Sequence, residues 1–119
     1  GFFFKTKDPK AVKNWYNEHL GLNTDDYGCT FWWKDEEGNK CSTQWSPFDE
    51  KTEYFKPSEK EFMMNFRVEN LVELLKVLKE EGVTVVGEIE EYEYGKFGWI
   101  LDPEGNKIEL WEPIDSAFL

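Results

Sequence analysis

The sequence predicts an α+β fold built from two βαβββ modules, and three observations carry that reading. The turn Asp35-Glu36-Glu37-Gly38-Asn39-Lys40 is nearly rewritten as Asp102-Pro103-Glu104-Gly105-Asn106-Lys107. A Trp stands three residues ahead of each copy (Trp32 and Trp99), and a W-x-P exit follows each, at Trp45-Ser46-Pro47 and Trp111-Glu112-Pro113. A helix-start signal also precedes each copy, Asp8-Pro9 in one and Asn70 in the other. Asp at the head of a turn accepts hydrogen bonds from the amides that follow, and Gly takes the positive φ that closes a tight connection. A chance match of this length is improbable. The chain reads as a duplicated module.

The elements follow in order. Phe2-Phe3-Phe4 opens a short strand ending at Lys7. Asp8 is an N-cap, and Pro9 occupies the first helical position, where a missing N–H costs nothing. Val12, Trp15, Tyr16 and Leu20 recur three or four apart and give that helix one apolar face, which Gly21 ends. The second strand of this module is poorly marked. Residues 27–34 are β-branched and aromatic, hence a strand, and the turn at 35–39 returns the chain through 40–46. In the second module a strand spans 61–68. Asn70 caps a helix, with Glu73 completing a box-like start and Leu71, Leu74, Leu75 and Leu78 as its buried stripe. Gly82 stops it. Residues 83–86 and 88–93 are short strand material, and strands at 96–101 and 107–111 flank the second turn. Module one covers about 1–47, a linker with many charges 48–60, and module two 61–113, all within a single domain. Such modules can close into a curved mixed sheet around a cleft, with helices on the convex face.

At 119 residues the chain can bury a core without staples. Aromatic residues make up 18%, enough for a core and for the wall of a small-molecule cavity. The 14 Lys and Arg against 25 Asp and Glu leave a formal charge of −11, which repels phosphate backbones and anionic membranes. No nucleic-acid or membrane partner is expected, and no apolar run approaches the roughly 18 residues of a membrane span. Cys29 and Cys41 have no CxxC spacing and do not face each other across the predicted hairpin, so they read as buried reduced thiols of a cytoplasmic protein. No signal peptide is visible. The chain opens on Gly1 without an initiator Met, directly on an apolar strand, and what precedes it is left open.

Two stretches carry a family resemblance: Lys7-Asp8-Pro9 with Trp15-Tyr16 and Leu20-Gly21-Leu22, and Phe97 through Trp111 (FGWILDPEGNKIELW). They resemble the vicinal oxygen chelate superfamily of glyoxalases, bleomycin-resistance proteins and extradiol dioxygenases, over nearly the whole chain. Such a fold hosts many chemistries, so the resemblance speaks to architecture before reaction. It implies a divalent metal held by side chains from four strand positions. Carried over singly, these fall on Gly1, on Thr43 or Ser42 depending on the end from which the hairpin is aligned, on Met63, and on Glu109. The one-residue difference between the hairpins would fit a bulge. Only Glu109 matches the family's carboxylate, and the lone His19 lies at the end of the first helix. No metal site and no cofactor is therefore expected, because such sites need several converging donors.

With Glu109 on the cleft side, alternation puts Lys107 and Trp111 beside it and Ile108 and Leu110 against the helix. The same reasoning assigns Gly98 and Ile100 to the cleft and Trp99 to the core, and by the repeat sends Trp32 to the core. The expected ligand-binding set is Phe3, Phe31, Trp33, Thr43, Trp45, Met63, Asn65, Arg67 and Trp111. Glu109 is the candidate acid or base. Each has a plainer role: Trp33, Trp45 and Trp111 as filling or subunit interface, Arg67 as a structural partner of Glu109, Lys5 and Lys107 as solvated charges. Glu88–Glu93 is expected to be a solvated loop or edge strand, with Tyr92 and Tyr94 able to cover the cleft. The function expected is metal-free sequestration of a small aromatic or cationic molecule by a homodimer, as in the drug-binding relatives. The alternatives are a metal-dependent lactoylglutathione-lyase-like or dioxygenase-like enzyme, and a metal-free isomerase using Glu109.

Overall fold

Each helix begins where a side-chain acceptor meets the first unpaired amides. In the computed structural model, which describes residues 1–114, Asp8 accepts from the Ala11 N–H at 3.0 Å and Asn70 from the Glu73 N–H at 3.2 Å. Caps of this kind are worth about 0.5–2 kcal/mol each. The second helix has a further acceptor that the sequence did not reveal: Glu112 Oε1 takes the Leu71 N–H at 2.9 Å. Gly21, in the left-handed conformation at φ 71°, closes the first helix.

The chain divides into two compact units, Gly1–Tyr54 and the residues from Phe55 onward. The first contains β1 (Phe2–Thr6), α1 (Pro9–Leu20), β2 (Thr24–Asp25), β3 (Gly28–Lys34) and β4 (Lys40–Asp49). The second contains β5 (Phe62–Arg67), α2 (Leu71–Glu80), β6 (Val85–Tyr92), β7 (Gly95–Leu101) and β8 (Lys107–Pro113). Within the first unit the strands lie in the order β2-β3-β4-β1, with β1 parallel to β4 and the other pairs antiparallel. Within the second the order is β5-β8-β7-β6, with β5 parallel to β8 and the others antiparallel. The predicted α+β class, a βαβββ order written twice, is the observed one. The poorly marked strand is a two-residue β2, and the two pieces foreseen at 83–93 are one strand, β6.

Both repeated turns are built alike. Asp35 Oδ1 accepts from the Glu37 and Asn39 amides at 3.0 and 2.8 Å, and Asp102 Oδ1 from the Glu104 and Asn106 amides at 2.9 Å each. These bonds hold the Asp102 carboxyl below its usual range, the Asn106 side chain contributing most. The likeness extends further back, to a glycine at the start of β3 and of β7. Gly28 has φ 127° and Gly95 φ 139°, and a Cβ there would lie 2.0 Å from Trp45 O and 2.5 Å from Glu112 O respectively. Only glycine lets the neighbouring backbone come so close.

The helix-side core of the second unit is Leu71, Leu75 and Leu110, with Val68, Val85, Ile100 and Ile108 packed around them. In the first unit α1 buries no residue fully, and Tyr16 of α1 stacks on Trp45 of β4 at 4.6 Å. His19 lies in the last turn of α1 with its ring 4.9 Å from that of Trp15. Cys29 and Cys41 are buried and unbridged. No helix among the described residues is long and apolar enough to cross a membrane.

Candidate functional site

In the second unit the strand register sets Asn65 opposite Glu109 and Glu109 opposite Trp99, so β5, β8 and β7 bring the three side chains into one row. Glu109 is only 2% exposed. Asn65 Nδ2 donates to its Oε1 at 2.8 Å and the Trp99 indole N–H to its Oε2 at 3.0 Å. A carboxylate taken out of water needs such donors, and bonds to an ionised acceptor are the stronger kind. Two residues along the same face, Lys107 is 8% exposed, with Nζ 5.4 Å from the centre of the Trp99 ring. Burial pulls its pKa down from the ordinary 10.5, while the charges of Glu109 and Glu90 pull the other way.

The row continues into an aromatic slab. Trp111 and Phe97 are paired across β8 and β7 and lie parallel, 8° apart, at 5.9 Å. The Arg67 guanidinium sits over the Trp111 ring at 5.4 Å. Tyr92 and Tyr94 stack on each other at 5.3 Å and meet Phe97 edge-on at 6.0 and 5.8 Å. Both tyrosines are substantially exposed, and the Tyr92 hydroxyl donates to the Glu90 carboxylate. The Trp111 indole N–H donates to the Tyr94 carbonyl at 3.3 Å, tying the slab to the β6–β7 turn.

Of the residues proposed from sequence, Met63, Asn65, Arg67, Glu109 and Trp111 share this face of the second sheet. Phe3, in the first unit, lies on the side of its sheet away from α1, beside Phe48 at 5.5 Å. Phe31, Trp33, Thr43 and Trp45 do not share that side. Trp45 stacks on Tyr16 of α1, and Phe31 and Trp33 pair with Thr43 and Cys41 on the same helix-facing surface. The Trp33 indole N–H donates to Thr43 Oγ1 there, at 2.9 Å.

Two register effects explain the difference. The loop between Leu101 and Lys107 has an odd number of residues, so odd positions pair with odd, and Trp99 faces with Glu109. Gly98 and Ile100 turn instead to α2, where a Cβ on Gly98 would meet Leu75 Cδ1 at 2.7 Å. By the same geometry Trp32 pairs with Ser42, which makes Ser42 and not Thr43 the counterpart of Glu109. The β3–β4 ladder has no bulge. The W-x-P exit simply comes one residue later in the first unit, which puts Trp45 on the opposite side from the one Trp111 occupies in its own sheet. Trp99 and Phe97 were thus missed as members of this face, and counting the loop's parity would have found them. Lys107 lies on the Glu109 face as its alternation predicts and is buried there, not solvated as its plainer role would have it.

A family model for the glyoxalase/bleomycin resistance protein/dioxygenase superfamily matches residues 3–110. The chain belongs to that superfamily. Solved structures share its backbone fold. Methylmalonyl-CoA epimerase from Mycobacterium tuberculosis superposes with a TM-score of 0.61 at 19% identity, over 99% of this chain and 89% of that one. NAD-dependent benzaldehyde dehydrogenase from Legionella pneumophila gives 0.58 at 14% identity, covering 94% and 96%. A superfamily member from Vibrio splendidus 12B01 gives 0.56 at 14%, covering 95% and 96%. At these identities the likeness concerns the fold. No curated protein sequence matches.

The metal positions of the glyoxalase superfamily do not fit an ion here. Gly1 has no side chain, Met63 is fully buried and apolar at its tip, and Ser42 offers a hydroxyl. The remaining position, Glu109, has both oxygens engaged by Asn65 and Trp99. Among the described residues no group of three or more His, Cys, Asp or Glu side chains converges as a metal centre requires.

Proposed function

We propose that this superfamily member binds and sequesters a planar aromatic molecule, with preference for cations, on the face of the second sheet that carries Glu109 and Trp111. The observation that carries the reading is the exposed stacked pair Tyr92 and Tyr94, backed by the parallel Phe97–Trp111 slab in which Trp111 itself is buried. Flat rings offer stacking area at little entropic cost, and each aromatic pair contributes about 0.5–1.5 kcal/mol beyond the area it buries. The formal charge of −11 draws cations toward the protein. Glu109, buried and hydrogen-bonded by Asn65 and Trp99, anchors the row beneath this face, with Met63, Asn65 and Arg67 around it. A metal-dependent lyase or dioxygenase is not supported by this donor set.

The reading extends to a cytoplasmic homodimer. Unbridged buried cysteines support the reducing setting. The exposed run Phe31, Trp32 and Trp33 supports self-association, as apolar surface of this kind marks contact sites. Light scattering on the purified chain tests the second point.

Titration with a planar cationic dye such as acridine orange, following tryptophan fluorescence, tests the binding function. Saturable quenching is expected, unchanged by EDTA, and weakened about three- to tenfold by Trp111→Leu or Tyr94→Ala, as loss of one stacking partner implies. No saturation, or binding that requires an added divalent ion, would overturn it.

A further inference from the structure

The second unit has a concavity on the side of its sheet opposite Glu109. Between α2 and β6 lies a groove of about 290 Å³, close to the lower bound of small-molecule pockets, roughly 300–1,000 Å³. Its origin is a bulge. Val86 pairs with Trp99 and Glu90 with Phe97, so residues 87–89 of β6 stand opposite the single residue Gly98. The surplus chain forms the bulge with Gly87 at φ 69°, while the side of Gly98 that faces α2 is taken by Leu75.

The walls differ in character. The floor and sides are apolar: Leu75 and Val85, with Val72 and Ile89 facing the opening, 48% and 37% exposed. Along α2, Val72, Leu75, Lys76 and Lys79 form one helical stripe, so both ammonium groups line the same rim. The facing rim carries Glu88. Among the described residues no ion pair joins Glu88 to either lysine. Two cations on one wall, an anion on the other and an apolar floor between them complement a molecule carrying both charges and a hydrocarbon body. A plain carboxylate would meet Glu88, and a plain amine would meet two lysines.

We propose that this groove is a binding site for a small zwitterion with an apolar side chain, of which an apolar α-amino acid is the class. Its carboxylate faces Lys76 and Lys79, its ammonium faces Glu88, and its side chain lies on Leu75 and Val85. The site is independent of the Glu109 face, since Gly98 and Trp99 point to opposite sides of β7.

The test is a titration of the ¹⁵N-labelled chain with L-leucine, read by amide chemical shifts. Saturable shifts are expected in residues 72–79, 85–89 and Gly98. 4-Methylpentanoate and 3-methylbutylamine, each lacking one charge, should bind more weakly. Lys76→Glu with Lys79→Glu, and separately Glu88→Lys, should each weaken L-leucine by about threefold or more, as reversal of exposed pairs implies. All three positions are exposed, so the variants should fold, and their spectra check this. The proposal is overturned by absence of saturable shifts with L-leucine, by equal or tighter binding of either singly charged analogue, or by unchanged affinity in both variants.

Discussion

Trp99 and Glu109 are direct cross-strand partners, and the indole N–H reaches the carboxylate at 3.0 Å in a buried setting. Trp99→Phe keeps the ring in place but leaves Glu109 Oε2 without that donor. An acceptor stripped of its partner in the interior costs about 1–3 kcal/mol. Urea unfolding should therefore show a lower midpoint with an unchanged slope. A midpoint equal to the parent's would mean that water replaces the indole at no cost.

Lys107 gives a pH dependence whose sign follows from its burial. Its folded pKa lies below the ordinary 10.5, so between the two values the unfolded chain holds more protons than the folded one. Stability contributed through this residue accordingly rises with pH across that window, and the burial penalty is felt in full below it. Chemical unfolding from pH 8 to 10 should show a more positive trend for the parent than for Lys107→Met. Parallel trends would remove Lys107 as the cause.

The Cys29 thiol is pushed up chiefly by burial, with the Asn23 backbone opposing and the charge of Asp25 adding to the rise. A thiol held protonated and shielded reacts slowly. A chromogenic disulfide reagent at pH 8 should modify neither cysteine promptly in the native protein and both after unfolding in guanidinium. Rapid native reaction of one equivalent would show that the β3 end opens readily.

Gly28→Ala and Gly95→Ala should each destabilise, since both residues sit at strongly positive φ and a methyl would strike backbone. The two should differ in reach. At Gly95 the added carbon also falls 2.6 Å from Trp111 Nε1, so that variant should disturb tryptophan fluorescence and dye binding as well. Equal effects on binding from the two substitutions would contradict this.

The duplicated turn, both helix caps and the leucine stripe of α2 were legible in the sequence because each is a local device: an Asp with a Gly beyond it, an Asn before a periodic apolar run. The face assignments were less so. They depend on loop parity and on where a ladder ends, and a one-residue slip inverts every side chain in a strand. This is why Met63, Asn65 and Arg67, read along one strand, kept their common face, whereas Trp99 and Trp45 exchanged theirs. The contribution of Glu112 to the start of α2 spans 41 positions of chain and leaves no local trace. The bulge opposite Gly98 was equally hidden, because the sequence around it reads as two strand fragments.

Trp32 with Ser42, and Trp99 with Glu109, occupy matching seats in two copies of one hairpin. Chassis and cargo are therefore separable in this molecule: a single exchange at the seat turns a neutral hydroxyl into a carboxylate without any change of loop length. Ser42→Glu and Glu109→Ser are thus the smallest edits with which to move charge from one copy to the other, and the indole already present in each would be the first neighbour to greet the newcomer.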